Sequence, residues 1–291
     1  MRVGEVPALV AAVTPHRLTF VVPAGVSGEA LQVCVDEELA GTLSVGEPWV
    51  TGVHQVDSPL VSRDGRLYAT CSGTREQEGR VSIYRASPNG PREPFATGIR
   101  NPTSLAEGPD GALYVSSRFE GVVYRVGADG HHDIYARDLG VPTGLAWGGE
   151  GVLYVGDRAG RVLRVVDGEA SAFAELPGSV AAFHLAMRPD GVLCVSAPTL
   201  APRDVFYMID RDGRVEQMPG WFGRPQGLAF DPAGVLHVAD SLAGSAGVYR
   251  LAVGAAPEQV LSGAGVLGIA FGPAGEMAVA TGDSVYRFSP Q

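Results

Sequence analysis

Two histidines are the candidate general bases of this chain. His184 lies in Ala181-Ala-Phe-His-Leu-Ala186, and His54 lies in Val53-His-Gln-Val56. An imidazole changes its charge near neutral pH, so either side chain can take a proton from a water or an alcohol. A histidine that is hydrogen-bonded inside the protein is the alternative at both positions, and the sequence leaves that choice open.

Two further side chains carry oxygens of the kind that hard metal ions bind. Asp57 offers a carboxylate and Asn101 an amide oxygen. A divalent cation such as Ca²⁺ takes several oxygen ligands that converge from different parts of the chain. Both residues are therefore candidate metal ligands, provided that the fold brings them together.

A third group of polar residues is suited to binding a ligand without reacting with it. Thr103, Thr143 and Gln226 offer a hydroxyl or an amide, while Arg118 and Arg158 occur at corresponding points of two loops. A guanidinium binds a carboxylate with two parallel hydrogen bonds. Ion pairing at the protein surface is the alternative for both arginines.

The composition excludes several classes of function. The formal net charge is −10, whereas binding to nucleic-acid phosphates needs basic surfaces. Cys34, Cys71 and Cys194 have no metal-binding or disulfide-framework spacing. The sequence contains no G-x-S-x-G, no phosphate-binding G-x-x-x-x-G-K-[ST] and no H-E-x-x-H. We expect no nucleic-acid partner and no catalytic site of these three kinds.

The N-terminal residues do not have the composition of a secretory signal. Glu5 and Pro7 interrupt them, and the apolar run that follows is too short. No stretch of the chain has the length of a membrane span. We therefore expect a cytoplasmic protein without a membrane span, or a secreted or periplasmic one if the N terminus is truncated.

The elements that must position these residues come from an internal repeat. Six glycines are each followed by a short apolar strand, and they lie 40 to 46 residues apart: Gly65, Gly111, Gly151, Gly191, Gly234 and Gly275. A third strand follows about a dozen residues later, and a fourth in most units. A charged insertion, Arg75-Glu-Gln-Glu-Gly79, accounts for the longest spacing. Four short antiparallel strands at this period predict an all-β fold, the β-propeller.

The ends of the repeat region predict how the ring closes. The sixth unit ends after its third strand, whereas Glu47-Pro-Trp-Val-Thr-Gly-Val53 matches Glu93-Pro-Phe-Ala-Thr-Gly-Ile99, which includes a fourth strand. Pairing the N-terminal strand with the last unit removes an open sheet edge. We therefore predict a six-bladed propeller over residues 47–291, closed by an N-terminal outer strand.

Channel-facing positions follow from this alignment, because the first strand of each propeller sheet lines the central channel. The residues eight positions before the aligned glycines are Asp57, Thr103, Thr143, Phe183, Gln226 and Leu267. The next position holds His184 in the fourth unit. Asp157 and Asp240 end second strands, and we expect them to accept hydrogen bonds from backbone N–H groups of the turns that follow.

The repeat unit P-x-G-L-A-x-(D)-P-x-G-x-L-x-V-x-D, followed by V-Y-R, resembles the NHL-repeat propellers and the related gluconolactonase and regucalcin-like propellers. Its clearest copies are Pro142–Arg164 and Pro225–Arg250. The gluconolactonase resemblance implies one divalent cation, Ca²⁺ or Zn²⁺, at the channel, held by a glutamate, two asparagines and an aspartate. This sequence departs from that pattern, because Thr143 and Gln226 stand where asparagine is expected.

Residues 1–46 lack the repeat and are expected to form a small Ig-like β segment. Leu18-Thr-Phe-Val-Val-Pro23 and Leu31-Gln-Val-Cys-Val35 are predicted strands joined by Ala24-Gly-Val-Ser-Gly28. This stretch resembles the second half of an IPT/TIG domain. The resemblance implies a partial Ig-like domain with open strand edges.

Two functions from different classes agree with these observations. The first is an NHL-type binding module that takes a small-molecule ligand or a protein at its channel mouth. The second is a metal-dependent lactone or ester hydrolase of the gluconolactonase type, in which the metal ion activates water. An assembly or cell-envelope role is a third interpretation. The repeat is regular, whereas the metal-ligand pattern is incomplete, and this combination favours the binding module.

Overall fold

A computed structural model describes residues 1–73, 80–218, 222–242, 244–252 and 254–289. The charged insertion predicted from Arg75 to Gly79 lies outside these residues. Within them the secondary structure is β-strand, apart from one turn of 3₁₀ helix at Gly149–Gly151. No helix in the described part of the chain is long and apolar enough to cross a membrane.

Residues 1–45 form one small sheet and one separate hairpin. The sheet contains β1 (Arg2–Val3), β2 (Val6–Pro7), β5 (Gly28–Val35) and β6 (Glu38–Val45), in the order β2-β1-β5-β6. The hairpin consists of β3 (Leu9–Thr14) and β4 (Arg17–Val21). The two strands predicted from the sequence correspond to β4 and β5, and β1, β2, β3 and β6 are additional.

The described residues from 47 to 289 form six four-stranded antiparallel sheets. The strands are β7 (Glu47–Thr51), β8 (Leu60–Val61), β9 (Leu67–Thr70), β10 (Ile83–Ala86), β11 (Arg92–Ala96), β12 (Pro102–Glu107), β13 (Leu113–Ser117), β14 (Val122–Val126), β15 (His132–Ala136), β16 (Pro142–Trp147), β17 (Leu153–Asp157), β18 (Arg161–Val166), β19 (Glu169–Glu175), β20 (His184–Met187), β21 (Leu193–Ser196), β22 (Phe206–Ile209), β23 (Val215–Gln217), β24 (Pro225–Phe230), β25 (Leu236–Asp240), β26 (Gly247–Leu251), β27 (Glu258–Ser262), β28 (Gly268–Phe271), β29 (Met277–Ala280) and β30 (Ser284–Phe288). We number the sheets 1 to 6: β8–β11, β12–β15, β16–β19, β20–β23, β24–β27, and β28–β30 with β7.

The six aligned glycines adopt the turn conformation that the repeat requires. Their φ angles lie between 72° and 87°, in the left-handed region. Glycine enters this region without steric cost, whereas a side chain on the Cα atom is strained there. The glycines that revealed the repeat therefore also allow the backbone conformation of the turn between the first two strands of each sheet.

Sheet 6 takes its fourth strand from the beginning of the repeat region. Strand β7 pairs antiparallel with β30, with Val50 opposite Val285 and Pro48 opposite Tyr286. The indole N–H of Trp49 donates to the carbonyl of Ser87 in sheet 1, at 3.0 Å. This is the pairing that the repeat alignment predicts, and it leaves no free edge on β30.

The first strands of the six sheets form a closed circuit. Strand β8 contacts β12, and the contacts continue through β16, β20, β24 and β28 back to β8. Each of the six main clusters of buried side chains in the described residues joins two neighbouring sheets, including sheets 6 and 1. Fully buried Leu67, Leu153 and Val238 are typical members. Sheets that pack radially in this way are the architecture of a β-propeller.

Candidate functional site

A hydrogen-bonded group of three side chains lies at the channel. His184 Nδ1 hydrogen-bonds to Asp57 Oδ1, and His184 Nε2 lies 3.0 Å from Gln226 Oε1. All three are buried, with 1%, 3% and 5% of the surface of His184, Asp57 and Gln226 exposed. Both ring nitrogens of His184 are therefore engaged, one by the Asp57 carboxylate and the other by the Gln226 amide.

The bond between His184 and Asp57 crosses the middle of the ring. Asp57 precedes β8 in sheet 1, and His184 begins β20 in sheet 4. These sheets are three steps apart in either direction around the circuit, so they stand opposite each other. The backbone N–H of Ser58 also donates to Asp57 Oδ1, at 2.6 Å. The pair therefore ties opposite sheets together and occupies the channel.

The hydroxyls next to the channel connect neighbouring sheets. Ser104 Oγ accepts from the backbone N–H of Leu145 at 3.1 Å, and Thr143 Oγ1 accepts from that of Phe183 at 2.9 Å. Ser58 Oγ accepts from the N–H of Ile269 at 3.3 Å. These bonds satisfy backbone groups of the next first strand, which explains small polar residues at this level of the ring.

The close approach of the first strands also requires glycine. A Cβ atom on Gly227 would lie 2.6 Å from Gly268 Cα and 2.5 Å from Ser58 Oγ. No side chain fits at that distance without moving the backbone. His184 occupies the corresponding position in sheet 4. Its side chain lies within the channel, between Asp57 and Gln226.

Three arginines meet in a cavity on one side of this group. The cavity has a volume of about 300 Å³ and is lined by Arg118, Arg158 and Arg224, together with Thr143 and Gln226. No acidic side chain lines it among the described residues. Its remaining lining consists of small apolar residues from the loops that enter sheets 1, 4 and 6. We refer to it as the arginine pocket.

Local hydrogen bonds hold the arginines in place. Arg158 Nε and Nη2 donate to the carbonyls of Ser179 and Val180, at 3.2 and 3.0 Å. Arg118 Nη2 lies 3.2 Å from Ser72 Oγ. The guanidinium of Arg224 makes no hydrogen bond or ion pair within the described residues, whereas its backbone N–H donates to Asp240 Oδ1 at 2.8 Å. The guanidinium of Arg224 therefore faces the pocket without a partner from the described part of the chain, beside those of Arg118 and Arg158.

The expected role of the two strand-ending aspartates is confirmed. Asp157 Oδ1 accepts from the backbone N–H groups of Val141 and Ala159 at 3.0 and 3.1 Å. Asp240 accepts in the same way from Gly223, Arg224 and Leu242. These carboxylates fix the loops that carry Arg158 and Arg224, and they do so without facing the arginine pocket themselves.

The opposite end of the channel has a mixed lining, in which the charged side chains of Arg63 and Glu107 stand beside apolar ones. A cavity of about 360 Å³ there is lined by side chains from the first strands of all six sheets, including Leu105, Leu145 and Ile269. Asp57 borders this cavity, whereas Gln226 borders the arginine pocket. The group of Asp57, His184 and Gln226 therefore lies between the two cavities.

The structure places the sequence-predicted residues in different surroundings. It brings Thr143, Gln226, Arg118 and Arg158 to one cavity and joins Asp57 to His184. Thr103 is fully buried, and its hydroxyl donates to the carbonyl of Asn101 at 3.1 Å. His54 is exposed at the start of sheet 1, in an isolated bridge with Cys71. Arg224 was missed, because no repeat position marks the residue before a first strand.

The two predicted metal ligands do not form a metal-binding set. Asn101 Nδ2 donates to the carbonyl of Ser72 at 2.7 Å, and Asp57 binds His184 and the N–H of Ser58. Among the described residues no three or more His, Cys, Asp or Glu side chains are grouped to hold an ion. Ca²⁺ takes six to eight oxygen ligands, and Zn²⁺ about four ligands. The donor chemistry therefore does not fit the expected divalent cation.

Comparison with known proteins supports the fold only. No protein-family model and no curated protein matches the sequence. Among solved structures, a gluconolactonase from Xanthomonas campestris has a TM-score of 0.69 at 15% identity, over 99% of this chain and 98% of that one. A putative oxidoreductase, named as a glucose dehydrogenase, from Thermus thermophilus has a TM-score of 0.62 at 22% identity, over 83% and 98%.

A third similar structure is an enzyme of another class. The virginiamycin B lyase from Staphylococcus aureus has a TM-score of 0.58 at 16% identity, over 83% of this chain and 85% of that one. A hydrolase, an oxidoreductase and a lyase thus share this scaffold, so the fold does not select one reaction. The NHL-type and IPT/TIG-type resemblances stay predictions from the sequence.

Proposed function

We propose that the six sheets of residues 47–289 are the blades of one closed propeller, and that its arginine pocket binds a small organic carboxylate. The observation that carries this proposal is the meeting of Arg118, Arg158 and Arg224 in a cavity that no acidic side chain of the described residues lines. The net charge of the whole chain is −10, so a cavity with only positive side chains is a local exception.

The size and polarity of the pocket support an organic anion over an isolated inorganic ion. A volume of about 300 Å³ lies at the lower end of the range for small-molecule sites. Guanidinium groups bind a carboxylate through two parallel hydrogen bonds. The amide of Gln226 adds a donor and an acceptor for ligand hydroxyls.

The state of His184 favours binding over catalysis. Both of its ring nitrogens already hydrogen-bond, to Asp57 and Gln226, so neither faces a ligand while these bonds are in place. The ring is also buried behind Gln226 rather than exposed in the pocket. We therefore assign it to joining sheets 1 and 4.

Two probes that differ in one group test this proposal. D-gluconate carries a carboxylate, and sorbitol has the same carbon skeleton with a hydroxymethyl group in its place. We expect gluconate to raise the melting temperature and to give a binding isotherm in calorimetry, and sorbitol to do neither. An Arg224→Gln variant should bind gluconate about tenfold or more weakly, because it loses a charge-assisted hydrogen bond.

Arg214→Gln is the matched control, because Arg214 is exposed in sheet 4 and lies outside the pocket. It should bind gluconate as the unmodified protein does. If a panel of small carboxylates, gluconate included, gives no binding, or if both variants weaken it equally, the arginine pocket is not a carboxylate site.

Hydrolysis of a lactone is the second candidate, and the likeness to a gluconolactonase favours it. In that case His184 would become the base only after Gln226 moves away from Nε2, and Asp57 would orient the ring. Water would add to the lactone carbonyl and the ring oxygen would leave as a hydroxyl, giving a hydroxy acid. Hydrolysis of glucono-δ-lactone above the uncatalysed rate, abolished in His184→Gln, would support this function, and no turnover would leave the binding module.

A further inference from the structure

A second and larger cavity lies between sheets 3 and 4. Its volume is about 590 Å³, and its apolar lining comes from Trp147, Tyr154, Phe173 and Met187. The first three belong to sheet 3 and the last to sheet 4. Each of the four is only partly buried, so their rings and thioether form walls that a ligand can reach. Aromatic walls of this kind are typical of sites for flat apolar groups.

The arginine in this cavity differs from its counterparts in the other sheets. Four sheets carry an arginine at the same point of the third strand, each within 2.6 to 3.1 Å of a carboxylate: Arg85 with Glu93, Arg125 with Asp110, Arg250 with Glu258, and Arg287 with Glu47. Arg164 occupies that point in sheet 3 and has no acidic partner in the described part of the chain.

The cross-strand register explains the difference. The residue opposite the arginine on the fourth strand is Glu93 in sheet 1, Glu258 in sheet 5 and Glu47 in sheet 6. In sheet 3 it is Ser171, opposite Arg164. The serine cannot neutralise the guanidinium, so Arg164 lacks the cross-strand acid that the arginines of sheets 1, 5 and 6 have.

Trp147, which lines this cavity, carries a buried indole N–H. The indole N–H of Trp147 is shielded from solvent and has no acceptor among the described residues. A buried donor without a partner costs about 1 to 3 kcal/mol, and such groups are rare in native proteins. The ring itself is fixed edge-to-face against Tyr114, with 4.7 Å between centroids. Because water does not reach this nitrogen, Trp147 contributes its ring, and not its N–H, to the wall of the cavity.

The neighbouring turn leaves room for a ligand. The segment Gly148-Gly-Glu-Gly151 stands where sheet 2 has Gly108-Pro-Asp-Gly111. A Cβ atom on Gly148 would lie 2.8 Å from the Tyr154 ring, so a side chain there would crowd this wall of the cavity. Arg188 and Arg211 lie at the rim and bind Asp190. With Glu150 included, three positive and two negative side chains surround the opening.

We propose that this cavity is a second binding site, specific for a planar aromatic carboxylate. The ring would lie among Trp147, Tyr154, Phe173 and Met187, and the carboxylate would pair with Arg164. The site is independent of the arginine pocket, since the two cavities share no lining residue.

A matched pair of ligands and a matched pair of variants test this inference. The probes are 4-hydroxybenzoate and its neutral amide, 4-hydroxybenzamide, titrated by calorimetry. We expect the acid to bind and the amide to bind at least about tenfold more weakly, because only the acid forms a charged pair with a guanidinium. Arg164→Gln should remove that preference. Arg250→Gln, at the same strand position in sheet 5, should keep it.

A second measurement reports on Trp147 without a variant that risks the fold. In ¹⁵N-labelled protein, the indole N–H resonance of Trp147 should shift on addition of 4-hydroxybenzoate, and a Trp147→Phe variant assigns the signal. Arg224→Gln should leave this binding unchanged, which separates the site from the arginine pocket. Absence of binding, equal binding by Arg164→Gln, or loss in Arg224→Gln would each overturn the inference.

Discussion

The first 45 residues and the sheets of residues 47–289 differ in how their strands are covered. Strand β3 is exposed along its whole length, and Leu9, Val13 and Leu39 expose 71%, 69% and 62% of their surface. Every sheet of the repeat instead packs against two neighbours through buried side chains. No hydrogen bond within the described residues joins residues 1–45 to the later sheets.

This difference locates the stability of the protein in the contacts between sheets. A fully buried aliphatic side chain contributes about 1.5 to 3 kcal/mol through removal from water. Leu67, Leu153 and Ile209 are of this kind, whereas the apolar residues of β3 remain in solvent. A ring gains such contacts at both faces of every sheet only if it is closed. Strand β7, and not the segment before it, therefore determines whether sheet 6 is complete.

Two deletions that differ by seven residues should show the largest difference in melting temperature between the two regions. Removing residues 1–45 should leave the melting temperature within a few degrees, whereas removing residues 1–52 also removes β7 and with it Trp49 and Val50. Losing a buried Trp costs about 3 to 5 kcal/mol, and 1 kcal/mol shifts the melting temperature of such a domain by about 2 to 4 °C. We expect a fall of at least about 10 °C, or aggregation through the open edge of β30.

Thermal unfolding followed by circular dichroism measures both effects. An equal loss in the two deletions would mean that residues 1–45 belong to the same cooperative unit. The boundary that we propose near residue 46 would then be wrong.

The two regions also differ in how much of their structure the sequence could predict. Repeated glycines and alternating strands revealed the sheets of residues 47–289, because each copy corroborates the others. The match between Glu47–Val53 and Glu93–Ile99 predicted the pairing of β7 with β30. Residues 1–45 have one copy of each pattern, so two-residue strands such as β1 and β2 gave no signal above the background.

Within the candidate site, alignment predicted which residues lie near the channel but not what they bind. Asp57 and His184 are 127 positions apart, and their bond follows only once the ring places sheets 1 and 4 opposite each other. Thr143 faces the arginine pocket, yet its hydroxyl also accepts from the next sheet. Arg224 lies outside the repeated motif, so only its backbone bond to Asp240 reveals how it is positioned.

The bond across the channel gives the second prediction. His184→Ala should lower the free energy of unfolding by about 3 to 5 kcal/mol, because it leaves the buried Asp57 carboxylate without its partner. In the His184→Ala background, Asp57→Ala should lower the free energy of unfolding by much less than Asp57→Ala does alone. The double-mutant cycle then shows that the two side chains are coupled. Urea denaturation measures the three variants.

His54→Ala is the control for this cycle. His54 is exposed, so the variant should stay within about 0.5 kcal/mol of the unmodified protein. If the two channel substitutions are additive, the bond between sheets 1 and 4 does not stabilise the ring, and Asp57 becomes free for another role.

The smallest expected effect is on the pH dependence of stability. It compares His237 in the repeat region with His16 in residues 1–45. His237 in sheet 5 is buried against Phe271, with ring centroids 4.8 Å apart, and burial lowers the pKa of its imidazole below 6.5. The hydrogen bond from its ring to the carbonyl of Val235, at 3.1 Å, opposes this shift without reversing it. His16 in the hairpin of β3 and β4 is exposed.

The sign of the pH effect follows from this lowered pKa. Between the pKa of folded His237 and about 6.5, the unfolded chain takes up a proton that the folded protein does not, so stability falls as the pH falls. The slope from one group is at most about 1.4 kcal/mol per pH unit. His237→Phe should flatten the dependence below pH 6.5, whereas His16→Gln should leave it unchanged. Urea denaturation from pH 5 to 8 measures it, and a flatter dependence in the His16 variant, with no flattening in the His237 variant, would assign acid sensitivity to the N-terminal segment instead of the ring.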